Sequence, residues 1–139
     1  MAVQRTLCII KPDAVERGKA GAILARVQEE GFRVLAVRQV QLAQRHVEGF
    51  YAVHRERPFF ASLTKFMSSG PVLVVALERE DAVKHWRDVM GATNPANAAE
   101  GTIRKNFAKN IERNAVHGSD APETAAMEIP FFFSMSELL

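Results

Sequence analysis

Apolar positions along this chain change period several times, and each change marks the edge of an element. Arg5 to Ile10 closes in an apolar run that stops at Lys11-Pro12, where proline opposes both strand pairing and a helix in the preceding residue. A buried strand is predicted there. From Gly18 to Glu30 the residues Ala22, Ile23, Ala25 and Val27 recur among polar ones and Gly31 follows, which suits an amphipathic helix with a glycine cap. Phe32 to Leu42 alternates, with Val34, Leu35 or Ala36, Val37, Val40 and Leu42 set among Arg33, Arg38, Gln39 and Gln41, so it reads as a second strand with room for a bulge. Gln44 to Arg55 and Phe59 to Met67 are helical by pattern and are parted by Pro58. Pro71 to Leu77 predicts a third strand and Glu80 to Met90 a further helix.

After Gly91 the periodicity fails. Thr93-Asn94-Pro95 and Ala99-Glu100-Gly101-Thr102 punctuate a long connection, and connections of that length in compact domains are usually functional. A brief helix over Ile103 to Lys109, a fourth strand holding Val116 and His117, and a last helix over Pro122 to Ile129 complete the pattern. The order β-α-β-(αα)-β-α-β-α points to an α+β sandwich with helices on one face of an antiparallel four-stranded sheet. The βαββαβ core of a ferredoxin-like fold has this order, here with an inserted helical hairpin and a long loop before the last strand.

Length and charge narrow the reading. At 139 residues the chain suits one domain spanning 1–139, large enough to bury a core without disulfides. Its 18 basic and 16 acidic residues leave a charge of +2, which argues against nucleic acid or an anionic membrane as the main partner, so any anion site must be local. The single cysteine, Cys8, lies in an apolar run and reads as a buried small side chain, which fits a reducing compartment. With neither a leader pattern nor a long apolar segment, the expected location is the cytoplasm.

The candidate chemistry centres on Asn114-Ala-Val-His117-Gly118-Ser119-Asp120. A histidine is substantially neutral near pH 7, so a ring nitrogen can attack an electrophile without a stronger base to deprotonate it first. Gly118 is expected to leave room for a bulky electrophile, Ser119 and Asp120 to supply hydrogen bonds, and Glu123 or Glu128 to fix the ring tautomer. No GxxxxGK[ST] loop exists; Gly18 and Gly21 have the wrong spacing, so side chains must bind any phosphate. His46, His54 and His85 sit on polar helical faces and are expected to be solvated.

Four segments in order, Ile9-Ile10-Lys11-Pro12-Asp13-Ala14-Val15, Phe66-Met67-Ser68-Ser69-Gly70-Pro71, Met90-Gly91-Ala92-Thr93-Asn94-Pro95 with Gly101-Thr102-Ile103-Arg104, and Asn114 to Asp120, resemble the nucleoside diphosphate kinase family over almost the whole chain. The resemblance implies transfer of the γ-phosphate of ATP, GTP or another nucleoside triphosphate to a nucleoside diphosphate, by a ping-pong route through phospho-His117. It implies that Lys11 contacts the sugar and terminal phosphate, that Arg87, Thr93 and Arg104 bind phosphates, and that Tyr51 lies near the transferring group. It further implies that Phe59, with Leu63 one turn on, stacks on the base, that Asn114 bonds the ribose hydroxyls, and that Ser119 and Glu128 surround the imidazole, Glu128 holding its unreactive nitrogen. Guanidinium forks suit phosphate geometry, and a stacked ring reads a base's face and not its hydrogen-bonding edge, which allows any base.

Mg2+ is expected with the nucleotide phosphates and no protein metal ligand is assigned. Homo-oligomers, tetramers or hexamers, are implied without a choice between them. The chain departs from the family where Pro-Gly-Thr-Ile-Arg-Gly-Asp is common: it has Glu100-Gly-Thr-Ile-Arg104-Lys105-Asn106, and Ala121 stands where serine is frequent. A catalytically inactive nucleotide-binding or regulatory module of the same fold is the alternative; the complete set of site residues weighs against it.

Overall fold

The computed structural model describes residues 2–139. Four strands, β1 (Val3–Ile10), β2 (Arg33–Val40), β3 (Val72–Glu80) and β4 (Val116–Gly118), form one sheet in the order β2-β3-β1-β4. Every neighbouring pair is antiparallel. The helices are α1 (Pro12–Glu16), α2 (Ala20–Glu29), α3 (Gln44–Phe50), α4 (Phe60–Met67), α5 (Ala82–Met90), α6 (Ile103–Phe107) and α7 (Pro122–Phe132). This is the ferredoxin-like arrangement, with α3 and α4 as the inserted hairpin.

Helices cover both faces of the sheet, not one as the order suggested. Cys8, Ile10, Leu73, Val75 and Leu77 pack on Ile23 and Val27 of α2 and on Ala82, Trp86 and Met90 of α5. Leu7, Ile9, Val72, Val74 and Ala76 pack on Val47, Phe66 and Met67 of α3 and α4, and on Ala125 and Ile129 of α7. The unbroken apolar run from Val72 to Leu77 is the sequence mark of such a strand: with both faces buried, neither set of alternating positions can be polar. β2 carries the expected bulge, between Val34 and Ala36, and β3 runs on through Glu80 because β1 offers partners out to Val3.

α1 was not predicted. Pro12 ends β1 but, lacking an N–H that the first helical position would leave unbonded anyway, it also opens a helical turn. The chain end also docks: Leu138 is buried, Arg5 donates to its carbonyl at 3.4 Å, and Arg38 pairs with Glu137.

The long connection before β4 is anchored, although Glu100 replaces a rigid proline. Thr102 Oγ1 accepts the Lys105 N–H as cap of α6, and Arg26 donates to the Gly101 carbonyl at 2.7 Å. Gly91, at φ 87°, starts the connection where an added Cβ would lie 2.6 Å from Thr102 Oγ1, so only glycine allows that close approach.

Candidate active site

β4 is short, and alternation along it decides where its side chains go. Val116 belongs to the core on the α5 face, so His117 points the other way, toward α3 and α7. Ile9 on β1 lies opposite His117, and Trp86 Nε1 donates to the His117 carbonyl at 3.2 Å, fixing the backbone from behind. Gly118 faces α5: a Cβ there would sit 2.6 Å from Met90 Cε and 2.6 Å from Trp86 Cδ1. The expectation that Gly118 makes room for an electrophile is therefore corrected. Its missing side chain makes room for Trp86 and Met90 on the core side of the strand.

The His117 side chain is 14% exposed, and its Nε2 lies 2.9 Å from Glu128 Oε1. Of the two carboxylates suggested, it is Glu128 that holds the ring, while Glu123 is exposed at the start of α7. Ala125 and Ile129 form the buried stripe of α7, and Glu128 lies at its margin, which carries the carboxylate to the edge of the core. The Ser119 hydroxyl donates to the same oxygen at 2.8 Å and accepts the Leu7 N–H at 3.2 Å. Burial works to raise the Glu128 pKa, but the bonds from His117 and Ser119 and the nearby imidazole charges outweigh it and hold the group below the usual glutamate range. A carboxylate only accepts, so Nε2 carries a proton, and in the neutral ring it is Nδ1 that keeps the lone pair.

Around the ring stand aromatics. Phe50 and Tyr51 meet His117 edge-on, with centroids 5.5 and 6.1 Å away. Tyr51 is buried, its hydroxyl has no hydrogen-bond partner, and burial followed by the charge of Glu128 drives its pKa upward. His54, expected to be solvated, lies between the rings of Tyr51 and Phe59. Phe59, 47% exposed at the start of α4, and Leu63, whose N–H donates to the Phe59 carbonyl, thus belong to the same neighbourhood. His85 too is partnered, by Glu30 at 3.0 Å just past the end of α2, whereas His46 is exposed.

The cations form a second group. Lys11 Nζ donates to Asn114 Oδ1 at 2.8 Å, and Asn114 Nδ2 donates to the Thr93 carbonyl at 3.1 Å, so three of the named residues are tied together. Burial and then the Arg104 charge lower the Lys11 pKa to about 8, against the opposing pull of Asp13 and Glu112. Arg104 is buried and donates to the carbonyls of Gly91, Val116 and, at 3.4 Å, Asn114; burial and the neighbouring Arg87 bring it down to about 10, still charged at neutral pH. Arg87 is half-exposed and pairs with Asp120 at 2.9 Å, so Asp120 serves that pair and not the histidine turn.

Two contacts escaped the sequence reading. Phe50 gave no signal beyond a helical aromatic beside Tyr51. Asp13, inside a quoted motif but assigned nothing, accepts the Ala115 N–H at 3.2 Å. The donors gathered in this neighbourhood are cations, amides and an unpartnered phenol, a set that fits an anionic ligand. Among the described residues no group of three or more His, Cys, Asp or Glu side chains could hold a metal ion. No described helix is long and apolar enough to cross a membrane.

Comparison with known proteins gives the same direction throughout. Residues 4–138 match the family model described as nucleoside diphosphate kinase. Proteins named nucleoside diphosphate kinase from Trichlorobacter lovleyi and Geobacter sulfurreducens are 58% and 59% identical over 137 residues, covering 99% of this chain and 99% and 100% of those relatives. The Aquifex aeolicus nucleoside diphosphate kinase structure superposes with a TM-score of 0.98 at 47% identity, covering 99% of this chain and all of that one. A halophilic nucleoside diphosphate kinase from Halobacterium salinarum, solved in complex with CDP, gives 0.95 at 35% identity, covering 99% and 92%. The chain belongs to the nucleoside diphosphate kinase family.

Proposed function

We propose that the protein is an active nucleoside diphosphate kinase working through phospho-His117. The carrying observation is the hydrogen bond between His117 Nε2 and Glu128, which leaves Nδ1 unprotonated beside a buried, unpartnered Tyr51 hydroxyl. In the first half-reaction the Nδ1 lone pair attacks the γ-phosphorus of a nucleoside triphosphate. The P–N bond forms as the bond to the bridging oxygen breaks, and the diphosphate leaves with that electron pair. In the second, a terminal oxygen of another nucleoside diphosphate takes the phosphoryl group and His117 is regenerated. Glu128 stabilises the ring as positive charge develops on attack.

Phosphoryl transfer is chiefly positioning and charge neutralisation. Arg87, Arg104, Lys11 and the Thr93 side chain are assigned to the phosphates, Lys11 and Asn114 to the ribose, and Phe59 with Leu63 to the base. Arg104 is bound by backbone carbonyls before any ligand arrives, so its guanidinium needs little reorganisation. The Tyr51 hydroxyl, buried and without a partner among the described residues, is assigned as the donor to the transferring group. Phosphotransfer in this family generally needs a divalent cation; Mg2+ brought in with the nucleotide would supply further charge neutralisation beside Lys11, Arg87 and Arg104.

The whole chain, 1–139, is read as one catalytic domain in the cytoplasm, where the lone cysteine stays reduced. A tetramer or hexamer is part of the same reading, favoured by the unpaired outer edge of β2 with Val37 exposed on it. The test is incubation with γ-labelled ATP and Mg2+ without acceptor, for the protein and for His117→Ala. Label that is stable in alkali, lost in acid, absent from the variant and passed to added GDP is the expected result. An intact, nucleotide-binding protein that takes up no label would instead be the inactive module.

A further inference from the structure

The residue two positions before His117 is held in a conformation that its own side chain resists. Ala115 has φ 73°, in the region that favours glycine, and the Val116 N–H donates across it to the Asn114 carbonyl at 2.9 Å. That closes a three-residue turn of the strained, positive-φ kind. Such a conformation persists in a residue with a Cβ only when its surroundings over-determine it.

Both backbone polar groups of Ala115 are tied to the segment after β1. Its carbonyl accepts the Lys11 N–H at 2.8 Å, and its N–H donates to Asp13 Oδ2 at 3.2 Å. Asp13 is only 7% exposed, and Oδ1 is buried with no hydrogen-bond partner among the described residues. Arg17, the basic residue on the same turn, is 3.8 Å from Oδ2 and directs its Nε to the Asp13 carbonyl, so it does not satisfy that oxygen. Besides its own backbone N–H and the Arg17 pair at 3.8 Å, this buried carboxyl, with one oxygen unsatisfied, reaches across the fold to the amide of the strained residue. That turn lies between Asn114, on the Lys11 network, and His117.

We propose that Asp13 is a positioning residue for phosphoryl transfer, holding the Ala115 turn so that the His117 ring and the Asn114 amide keep their places relative to Lys11. The inference rests on His117 being the nucleophile. Asp13 touches no reacting atom; it acts through the Ala115 N–H.

The expected consequence separates this role from plain core packing. Glycine takes φ near 73° without the Cβ penalty, so Ala115→Gly should make the turn less dependent on its clamp. Single-turnover labelling by γ-labelled ATP and Mg2+ is compared for wild type, Asp13→Ala, Asp13→Asn, Ala115→Gly and the Asp13→Ala/Ala115→Gly pair, with ADP affinity measured alongside. Asp13→Ala should slow labelling at saturating nucleotide tenfold or more. Asp13→Asn keeps an oxygen that can accept the amide and should recover most of that loss. In the Ala115→Gly background the Asp13→Ala loss should shrink to a few-fold.

An equal loss in both backgrounds, or Asp13→Ala labelling at the wild-type rate, would overturn the proposal. If Asp13→Ala does not fold, Asp13→Ser, polar but too short to reach the amide, replaces it with the same outcomes. Wild-type protein that takes up no label would overturn both this and the kinase reading, whereas labelled wild type with unrescued variants overturns this alone.

Discussion

Removing the Glu128 carboxylate is the sharpest perturbation of the proposed chemistry. In Glu128→Ala the imidazole loses the acceptor that puts its proton on Nε2, and the fully buried Ser119 hydroxyl loses its acceptor too. A hydrogen bond to a charged group contributes about 1.5–3 kcal/mol, so if that bond strengthens as the ring gains charge, phosphorylation should slow by roughly 10- to 150-fold. Glu128→Gln keeps a neutral acceptor of the same shape and should lie between the alanine variant and wild type. Rapid-quench measurement of phosphoenzyme formation at saturating ATP reads this step apart from nucleotide binding. Alanine and wild-type rates within a factor of two would refute the assignment of Glu128 as orienting group.

The same group predicts an acid limb in stability. Its folded-state pKa is depressed below the ordinary 4.5, so the stabilisation is fully present above the unfolded value and is lost as pH falls through the folded one. Glu128→Gln should flatten that limb of the melting temperature against pH.

Other outcomes follow from single contacts. Because Lys11 titrates near 8, ADP affinity should fall as pH rises through that value; calorimetry across the range should show the inflection in wild type and not in Lys11→Arg. Tyr51→Phe removes a buried hydroxyl without a partner, so denaturant melts should show a gain of about 1 kcal/mol or more while turnover drops. Gly118→Ala drives a Cβ into Trp86 and Met90 and should destabilise by about 1–3 kcal/mol in the same melts; unchanged stability would mean that the core behind β4 yields freely.

Periodicity located the strands, the inserted hairpin and the last helices because each buries a face, and burial imposes a repeat. It misjudged how many faces of the sheet are covered, although the apolar run of β3 held that information, and it lost α1, where Pro12 acts both as a stop and as a start. The long connection had no repeat to read: its order comes from Arg26 and Arg104 donating to backbone carbonyls, contacts made across 75 residues in one case and 10 to 13 in the other. Most candidate site residues were legible through family motifs, since a motif preserves residue types. Gly118 shows the limit of that signal. The motif names the glycine, but only the packing of Trp86 against β4 shows which side of the strand needs the space.

Lys11, Arg87 and Arg104, the cations proposed to meet the phosphates, repel one another, and the fold meets this in three different ways. Arg104 keeps its charge and is stabilised by carbonyl dipoles, which cannot be titrated away. Arg87 sits at the exposed rim with Asp120, where solvent screens the pair and leaves it easily exchanged for phosphate. Lys11 is the one cation placed where burial and Arg104 bring its pKa near the working range, so its charge strengthens when phosphate arrives. Lys11 and Arg104 are equally buried, so it is the partners that differ: backbone carbonyls hold Arg104, and the Asn114 side chain holds Lys11. On the proposed reading, a phosphate beside Lys11 would raise its pKa again and hold it in the charged form through the pH range where it otherwise titrates.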